Sequence, residues 1–245
     1  QDCIHCDEKG ENGCVSALVV WRRNGYFTQI LTHQNYNGFD HFFPEGITMK
    51  ETKVLKFTNP ATGKSFGEVL ISTTGDIETA YEELRVSLPG WTDKPVGVRC
   101  DVLGKLQKTV VDNLDDLAVT ISNSTGKSRQ DGLTEIFVFL HYLQDLIRNA
   151  PRWLRKKKVS TGLQFFKSGF TFQKPYGIVA VISPWNYPFT LTMIPIAAAL
   201  AAGNTVIVKT SEYTPAIGAR LAELLATIPE LSDNIGFVHG DGRVG

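Results

Sequence analysis

The amino-acid sequence predicts an α/β fold in which a helix-rich segment precedes a short parallel sheet. From residue 177 onward, continuous apolar runs alternate with helical patterns, and the links between them are short. Strand, helix, strand, helix, strand with short links is the order of a parallel sheet with right-handed crossovers. This part of the chain therefore corresponds to half of a dinucleotide-binding fold.

Three apolar runs predict strands that are buried on both faces, at residues 177–182, 205–209 and 235–239. Pro188 is predicted to begin a helix that covers residues 190–202, and Gly203 is predicted to end it. Thr214 and Pro215 are predicted to begin a second helix, which reaches about residue 227.

The preceding part of the chain is predicted to contain two hairpins and four helices. Residues 53–58 and 68–72 flank a turn rich in Pro and Gly, and residues 159–172 alternate as a second hairpin does. Helical periodicity predicts a helix capped by Asp76 that extends to Leu88, two helices between residues 98 and 125, and one over residues 133–149. Gly126 and Pro151 are predicted to mark helix ends.

Residues 1–46 form an N-terminal extension to which no activity is assigned. They mix Cys, His, Asn, Gly and aromatic residues without a sustained period, and only residues 14–21 favour a strand. Cys-x-x-Cys spacing lets two thiolates reach one zinc ion, but no second close pair of ligands follows. We therefore predict that Cys3, Cys6 and Cys14 are reduced thiols, and that these residues and His5 do not bind a metal ion.

Composition excludes several classes of protein. Lys and Arg together number 25, as do Asp and Glu, so no net field attracts nucleic acid or anionic lipid. The longest apolar run, residues 194–202, is far shorter than the roughly 20 residues that span a bilayer. Four cysteines do not make a disulfide scaffold, and no signal peptide is evident, so we predict a cytoplasmic protein.

Polar residues follow two of the predicted strands, at residues 182–188 and 209–215. Ligands of open parallel sheets lie beyond the carboxyl ends of the strands. Taken singly, Asn186 fits a turn, Lys209 a solvated charge and Glu212 a partner for a helix dipole. Their joint spacing favours a single crevice for one extended ligand.

Together these segments resemble the aldehyde dehydrogenase superfamily over about residues 54–245. The matching motifs are Lys-Pro-Tyr-Gly-Ile-Val at 174–179, Ile-Ser-Pro-Trp-Asn-Tyr-Pro at 182–188, Ala-Ala-Ala-Leu-Ala-Ala-Gly-Asn-Thr-Val at 197–206, Val-Lys-Thr-Ser-Glu at 208–212, Asn-Pro-Ala-Thr-Gly at 59–63 and Thr-Gly-Lys at 125–127. The resemblance implies that residues 47–245 are the N-terminal part of a cofactor-binding domain, with half of a Rossmann-like sheet, truncated before the catalytic domain. It also implies that residues 159–172 are an oligomerisation hairpin of a dimer or tetramer.

The same resemblance implies roles for single residues. Asn186 matches the side-chain donor to the oxyanion that forms when a cysteine thiolate attacks an aldehyde, a contact worth about 3 kcal/mol by analogy with other oxyanion holes. Glu212 suits the two free hydroxyls of a ribose and repels a 2′-phosphate, so NAD is expected and NADP remains possible. The implied cofactor contacts are Ile182, Ser183, Pro184, Trp185, Lys209, Ser211, Glu212 and Gly242.

The implied activity is oxidation of an aldehyde to a carboxylic acid with NAD(P), through a cysteine thiohemiacetal and thioester. The 245 residues contain no Gly-Gln-x-Cys segment and no Glu-Leu-Gly-Gly-like segment, which in this family carry the nucleophile and the base. We therefore expect the chain to be an inactive fragment by itself. Two alternatives stay open, an acyl-coenzyme A reductase of the same superfamily and a non-enzymatic nucleotide-binding module, and the sequence that follows Gly245 would discriminate them.

Overall fold

The structure, a computed structural model, describes residues 54–163 and 166–245. The predicted extension at residues 1–46, its strand at 14–21 and its cysteine-rich group lie outside this part of the chain. Across the two described ranges, no helix is long and apolar enough to cross a membrane.

Within the described residues, seven strands form three separate sheets. The pairs are β1 (Val54–Thr58) with β2 (Ser65–Leu70), antiparallel, and β3 (Lys157–Val159) with β4 (Gly169–Thr171), also antiparallel. The third sheet is parallel, in the order β5 (Ile178–Ile182), β6 (Thr205–Lys209) and β7 (Ile235–Val238). The predicted parallel sheet and both predicted hairpins are therefore present.

Seven helices complete the described fold. They are α1 (Thr74–Thr92), α2 (Val96–Asp112), α3 (Leu114–Thr125), α4 (Arg129–Trp153), α5 (Thr190–Ala201), α6 (Pro215–Ala226) and α7 (Pro229–Ser232). Helix α7 was not predicted, because four residues are too few to show a helical period.

The predicted cap of α1 is wrong by three residues. Thr73 is the N-cap, and its hydroxyl accepts a hydrogen bond from the Asp76 amide at 3.2 Å. The Asp76 carboxylate in turn accepts the Thr73 amide at 2.7 Å, which completes a capping box. This hydrogen bond from the Thr73 backbone, with a second from its side chain, lowers the pKa of Asp76. Asp76 thus supports the cap from inside the helix.

Two predicted helix ends are also wrong, because both helices continue past a proline. Helix α1 runs through Pro89 to Thr92, and α4 runs through Pro151 to Trp153. In α1 the extra turn is held by Trp91, which is 1% exposed and donates its indole N–H to the Leu200 carbonyl at 3.1 Å. Tertiary packing here outweighs the hydrogen bond that a proline removes.

The second strand of the first hairpin begins at Ser65 rather than Glu68. The register shifts between Phe57 and Thr58, and Thr58 pairs with Ser65. A Cβ at Gly67 would lie 2.7 Å from the Phe57 ring, so glycine permits this close approach. Phe66 also packs against Phe57, with ring centroids 5.8 Å apart, but one apolar residue between Ser65 and Gly67 gives no alternation that would predict a strand.

Helix α5 lies at the centre of the hydrophobic core, between the parallel sheet and helices α2 and α4. Its carboxyl end is held by Arg99, which is 5% exposed and donates to the Ala201 carbonyl at 3.0 Å. The same guanidinium donates to the Thr92 carbonyl at 3.2 Å. A positive group at this end also complements the helix dipole. Arg99 therefore joins the end of α1 to the end of α5.

Candidate functional site

The candidate site is formed by two loops at one edge of the parallel sheet. We call residues 183–189 the β5 loop and residues 210–214 the β6 loop, after the strands that they follow. Ile182 and Lys209 are register partners, and the Ser183 amide donates to the Lys209 carbonyl at 3.1 Å. The two loops therefore leave the sheet side by side, as the sequence predicts.

A cleft of about 490 Å³ lies beside the two loops, and its lining does not include Asn186, Lys209 or Glu212. Trp185 lines it from the β5 loop, and Tyr213 and Thr214 line it from the β6 loop. The opposite wall comes from the first hairpin and the end of α3, namely Thr58, Pro60, Ser124 and Thr125. The indole of Trp185 and the phenol of Tyr213 are both largely exposed, so the cleft has an aromatic rim.

Lys209 and Glu212 form an ion pair at the end of β6. The Lys209 ammonium lies 3.3 Å from a Glu212 carboxylate oxygen, and the two side chains are 7% and 31% exposed. The last residue lies over this end of the sheet, since a Cβ on Gly245 would be 3.1 Å from the Lys209 side chain and 3.5 Å from that of Ile182. Because the Lys209 side chain is largely shielded from water, the attraction between its ammonium and the Glu212 carboxylate is weakly screened.

Two of the predicted contact residues use their hydroxyls inside the protein. The Ser183 hydroxyl is 2.6 Å from that of Thr192 in α5, and the Ser211 hydroxyl accepts the Tyr213 amide at 3.3 Å. Ser183 is therefore oriented toward the core through its side chain. Pro184 is half-buried, whereas Gly242 is exposed in the segment after β7.

Asn186 is half-buried at the middle of the β5 loop. Its backbone carbonyl accepts a hydrogen bond from the Lys127 ammonium at 2.5 Å. The same ammonium lies 3.8 Å from the centroid of the Tyr187 ring, which is a cation–π contact. Lys127 comes from the connection between α3 and α4, so the loop is held from outside the sheet.

Glu135 of α4 caps the first turn of α5. Its side chain is 1% exposed, and one carboxylate oxygen accepts the amides of Phe189 at 2.8 Å and Thr190 at 3.0 Å. The Thr190 hydroxyl donates back to the Glu135 carbonyl at 2.7 Å. Helix α5 has no side-chain cap of its own, so Glu135 satisfies two of its unpaired N–H groups.

Burial raises the pKa of Glu135, while the Thr190 amide and the Lys127 charge oppose that rise. Sequence analysis did not identify this residue. Its signal is a single carboxylate within the apolar stripe of α4, beside the buried Ile136 and Phe139. A charge in such a stripe indicates a buried partner, although the sequence does not say which one.

Of the four cysteines, the structure describes Cys100, which lies inside the helical core and not beside the two loops. Burial raises the pKa of its thiol, the opposite of what a nucleophile needs. Cys100 is thus unsuited to attack a carbonyl. Among the residues with described positions, no group of three His, Cys, Asp or Glu side chains is arranged to hold a metal ion.

A sequence profile of the aldehyde dehydrogenase family matches residues 47–245. The chain belongs to this family. Among curated relatives, it is 39% identical over 190 residues to a 4,4′-diapolycopene aldehyde oxidase of Methylomonas sp. It is 33% identical over 183 residues to malonate-semialdehyde dehydrogenase 2 of Bacillus thuringiensis. These matches cover 76% and 74% of the chain and 36% and 37% of the two relatives.

Solved aldehyde dehydrogenases share the fold. The structure from Brucella melitensis biovar abortus 2308 matches with a TM-score of 0.73 and 26% identity, over 78% of this chain and 39% of that one. A putative methylmalonate-semialdehyde dehydrogenase from Sinorhizobium meliloti, solved with NAD, matches with a TM-score of 0.70 and 28% identity, over 78% and 38%. The chain thus spans well under half the length of these aldehyde dehydrogenases.

Proposed function

We propose that the complete protein oxidises an aldehyde to a carboxylic acid with NAD, and that this chain supplies much of the cofactor site. The observation that carries the proposal is the placement of Asn186 in the loop after β5 and of the Lys209–Glu212 pair at the end of β6, the parallel neighbour of β5. Membership of the aldehyde dehydrogenase family supports the reaction class.

The residues at the end of β6 suit the adenosine ribose of a dinucleotide. Glu212 is partly exposed and offers carboxylate oxygens to hydroxyl donors, while Lys209 fixes its position. A carboxylate accepts both ribose hydroxyls and repels a 2′-phosphate, which favours NAD over NADP. We propose that Ile182, Pro184 and the backbone of Ser183 continue this surface. Trp185, Ser211 and Gly242 complete the proposed contacts.

Asn186 is the proposed donor to the oxyanion. An amide N–H that is already in place when charge develops on the carbonyl oxygen lowers the barrier without reorganisation. NAD supplies the hydride acceptor when it is bound. The proposed nucleophile is a cysteine in a Gly-Gln-x-Cys context, which these 245 residues do not contain. We therefore propose that the chain alone has no dehydrogenase activity.

The names of the relatives refer to aldehydes of different chemistry, so the proposal specifies an aldehyde and no particular one. We propose a cytoplasmic homo-oligomer that associates through residues 159–172. The β3–β4 hairpin there exposes large apolar side chains, since Leu163 is 96% and Phe170 is 47% exposed. Apolar surface of this kind is typical of protein interfaces.

The proposal is tested by titrating the chain with NAD and with NADP, and then repeating both titrations on Glu212→Gln. We expect NAD to bind more tightly than NADP, and the variant to bind NAD about tenfold more weakly, as loss of a charged hydrogen bond predicts. Glu223→Gln is the matched control, because Glu223 forms an ion pair with Arg220 at the same 3.3 Å on the exposed face of α6. Tighter binding of NADP that Glu212→Gln leaves unchanged would contradict the proposal.

A further inference from the structure

We propose that Lys127 and Glu135 are positioning residues. They fix, from outside the sheet, the backbone that carries the side-chain amide of Asn186. The inference rests on the proposed role of Asn186 as an oxyanion donor. Neither residue belongs to the strands or loops that form the site, and neither side chain reaches the Lys209–Glu212 pair in the described structure. In the described structure, the hydrogen bonds, the ion pair and the ring contact of their side chains are with the β5 loop, the start of α5 and each other.

Lys127 holds the β5 loop at Asn186 and at the residue that follows it. Its ammonium donates to the Asn186 carbonyl at 2.5 Å and lies 3.8 Å from the centroid of the Tyr187 ring. A lysine ammonium has three donors and no acceptor, so it can bind a carbonyl while it contacts a ring face. The carbonyl contact fixes the peptide plane that follows Asn186, and the ring contact fixes the next residue.

Glu135 holds the end of the same loop. Its carboxylate accepts two amides, from the last residue of the loop and from the first residue of α5. The reciprocal bond from the Thr190 hydroxyl fixes the orientation of the α5 N-terminus against α4. The loop is therefore anchored at residue 186 and again at residues 189–190, which leaves the chain between them little freedom.

The two anchors are coupled through one buried charge. The second carboxylate oxygen of Glu135 is buried without a hydrogen-bond partner among the described atoms, and the Lys127 ammonium lies 3.7 Å from it. This distance is too long for a hydrogen bond but short enough for strong attraction at low dielectric. Glu135 thereby draws Lys127 toward the core, in the direction of the Asn186 carbonyl.

An oxyanion donor works only if its position is set before the reaction, because a displacement of about 1 Å can cost about a hundredfold in rate. A loop held only at the strand end would not meet this requirement. The Lys127–Glu135 pair supplies the missing constraint from outside the strands and loops of the site. Its effect should therefore appear in the order of the backbone at Asn186.

The test is NMR of the 15N-labelled chain, with the backbone amides of Asn186 and Tyr187 as probes. In the unmodified chain we expect both amides to have order parameters close to the rigid backbone value of about 0.85. In Lys127→Met we expect both signals to shift and their order parameters to fall below about 0.6, the range of mobile groups. Lys127→Arg keeps the charge and the donors, so it should restore much of the order.

Glu135→Gln is the second variant, because a glutamine oxygen can still accept the α5 amides while the charge that faces Lys127 is lost. We expect a shift of the Asn186 signals smaller than that in Lys127→Met. Lys105→Met is the matched control, since Lys105 pairs with Glu230 away from both loops. Unchanged Asn186 signals in folded Lys127→Met, or in Glu135→Gln if the former does not fold, would overturn the inference.

The outcome is independent of the cofactor titrations that test the proposed function. Loss of Asn186 order in Lys127→Met supports the inference even if Glu212→Gln leaves NAD binding unchanged, which would contradict the proposed function alone. Unchanged Asn186 signals overturn the positioning role even if NAD binds as proposed.

Discussion

The β5 loop and the β6 loop leave neighbouring strands of one sheet, yet different parts of the chain hold them in place. The β5 loop is anchored by Lys127 and Glu135, which precede their partners by 59 and 54 residues. The polar contacts that hold the β6 loop are local, since the Thr214 amide donates to the Ser211 carbonyl at 3.1 Å and the Lys209–Glu212 pair joins residues that are three apart.

This difference matches the proposed tasks of the two loops. A donor to a developing charge must be fixed before the reaction, so it benefits from a rigid support outside its own loop. A contact to a ribose can adjust when the ligand arrives, and a local ion pair is sufficient to present it. If the comparison is right, variants should disturb the two loops separately and by different amounts.

The largest effect is expected for Glu135→Leu, which breaks the support of the β5 loop. The substitution removes the acceptor of two α5 amides and leaves the Lys127 ammonium without its carboxylate. We expect the free energy of unfolding to fall by about 3 kcal/mol, as for other broken buried ion pairs and lost helix caps.

Urea denaturation followed by circular dichroism measures this loss. Glu82→Leu is the control, because Glu82 pairs with Arg85 on the exposed surface of α1 and its removal should change stability by less than about 0.5 kcal/mol. A loss in Glu135→Leu no larger than in the control would mean that the β5 loop does not depend on α4.

A smaller effect is expected when the packing under the β6 loop is disturbed by Gly218→Ala. A Cβ at this position in α6 would lie 2.2 Å from the Thr210 hydroxyl and 3.2 Å from the His239 ring. Overpacking on this scale costs about 2 kcal/mol, which exceeds the gain of up to about 1 kcal/mol from helix propensity. We also expect weaker NAD binding, because Thr210 begins the β6 loop.

The double variant Thr210→Ala with Gly218→Ala should recover part of the lost stability, since the closest clashing atom is absent. Gly104→Ala is the matched control within α2, where no atom lies within 4 Å of the added Cβ. That variant should gain up to about 1 kcal/mol. A gain of similar size in Gly218→Ala would show that the β6 loop tolerates displacement of its support.

The contrast between the loops also explains how much could be predicted from sequence. The candidate site was predicted from motifs of neighbouring residues. Asn186, Lys209 and Glu212 each belong to such a motif at the end of a predicted strand. Glu135 and Arg99 act on partners 54 and 102 residues away, and no local pattern identifies such a partner. The parallel sheet was predicted because apolar runs and turn residues are local signals.

Helix ends were predicted less well for the same reason. The predicted helix extends to Leu88, but the packing of Trp91 against α5 continues it to Thr92. The long-range contacts that correct α1 are of the same kind as those that support the β5 loop. Sequence patterns therefore predicted polar groups at the strand ends, but they did not identify the residues that hold the β5 loop from outside the sheet.

The smallest effect is expected from two serine variants, one in each loop. Ser183→Ala removes a buried contact of 2.6 Å with Thr192, and Ser211→Ala removes a bond of 3.3 Å within the β6 loop. Thr192 keeps its bond to the Pro188 carbonyl at 2.5 Å, so the loss in Ser183→Ala should be modest, at about 1 kcal/mol. Ser211→Ala should cost about 0.5 kcal/mol, because its bond is longer and less buried.

Thermal and urea denaturation of the two serine variants, measured side by side, gives the ranking directly. The substitution is the same in both loops, so a difference reports the surroundings and not the chemistry of the change. A larger loss in Ser211→Ala would mean that the β6 loop is the more tightly integrated of the two. The more rigid loop would then be the β6 loop, which is the proposed ribose contact. The inference that the β5 loop holds Asn186 in place before the reaction would fail.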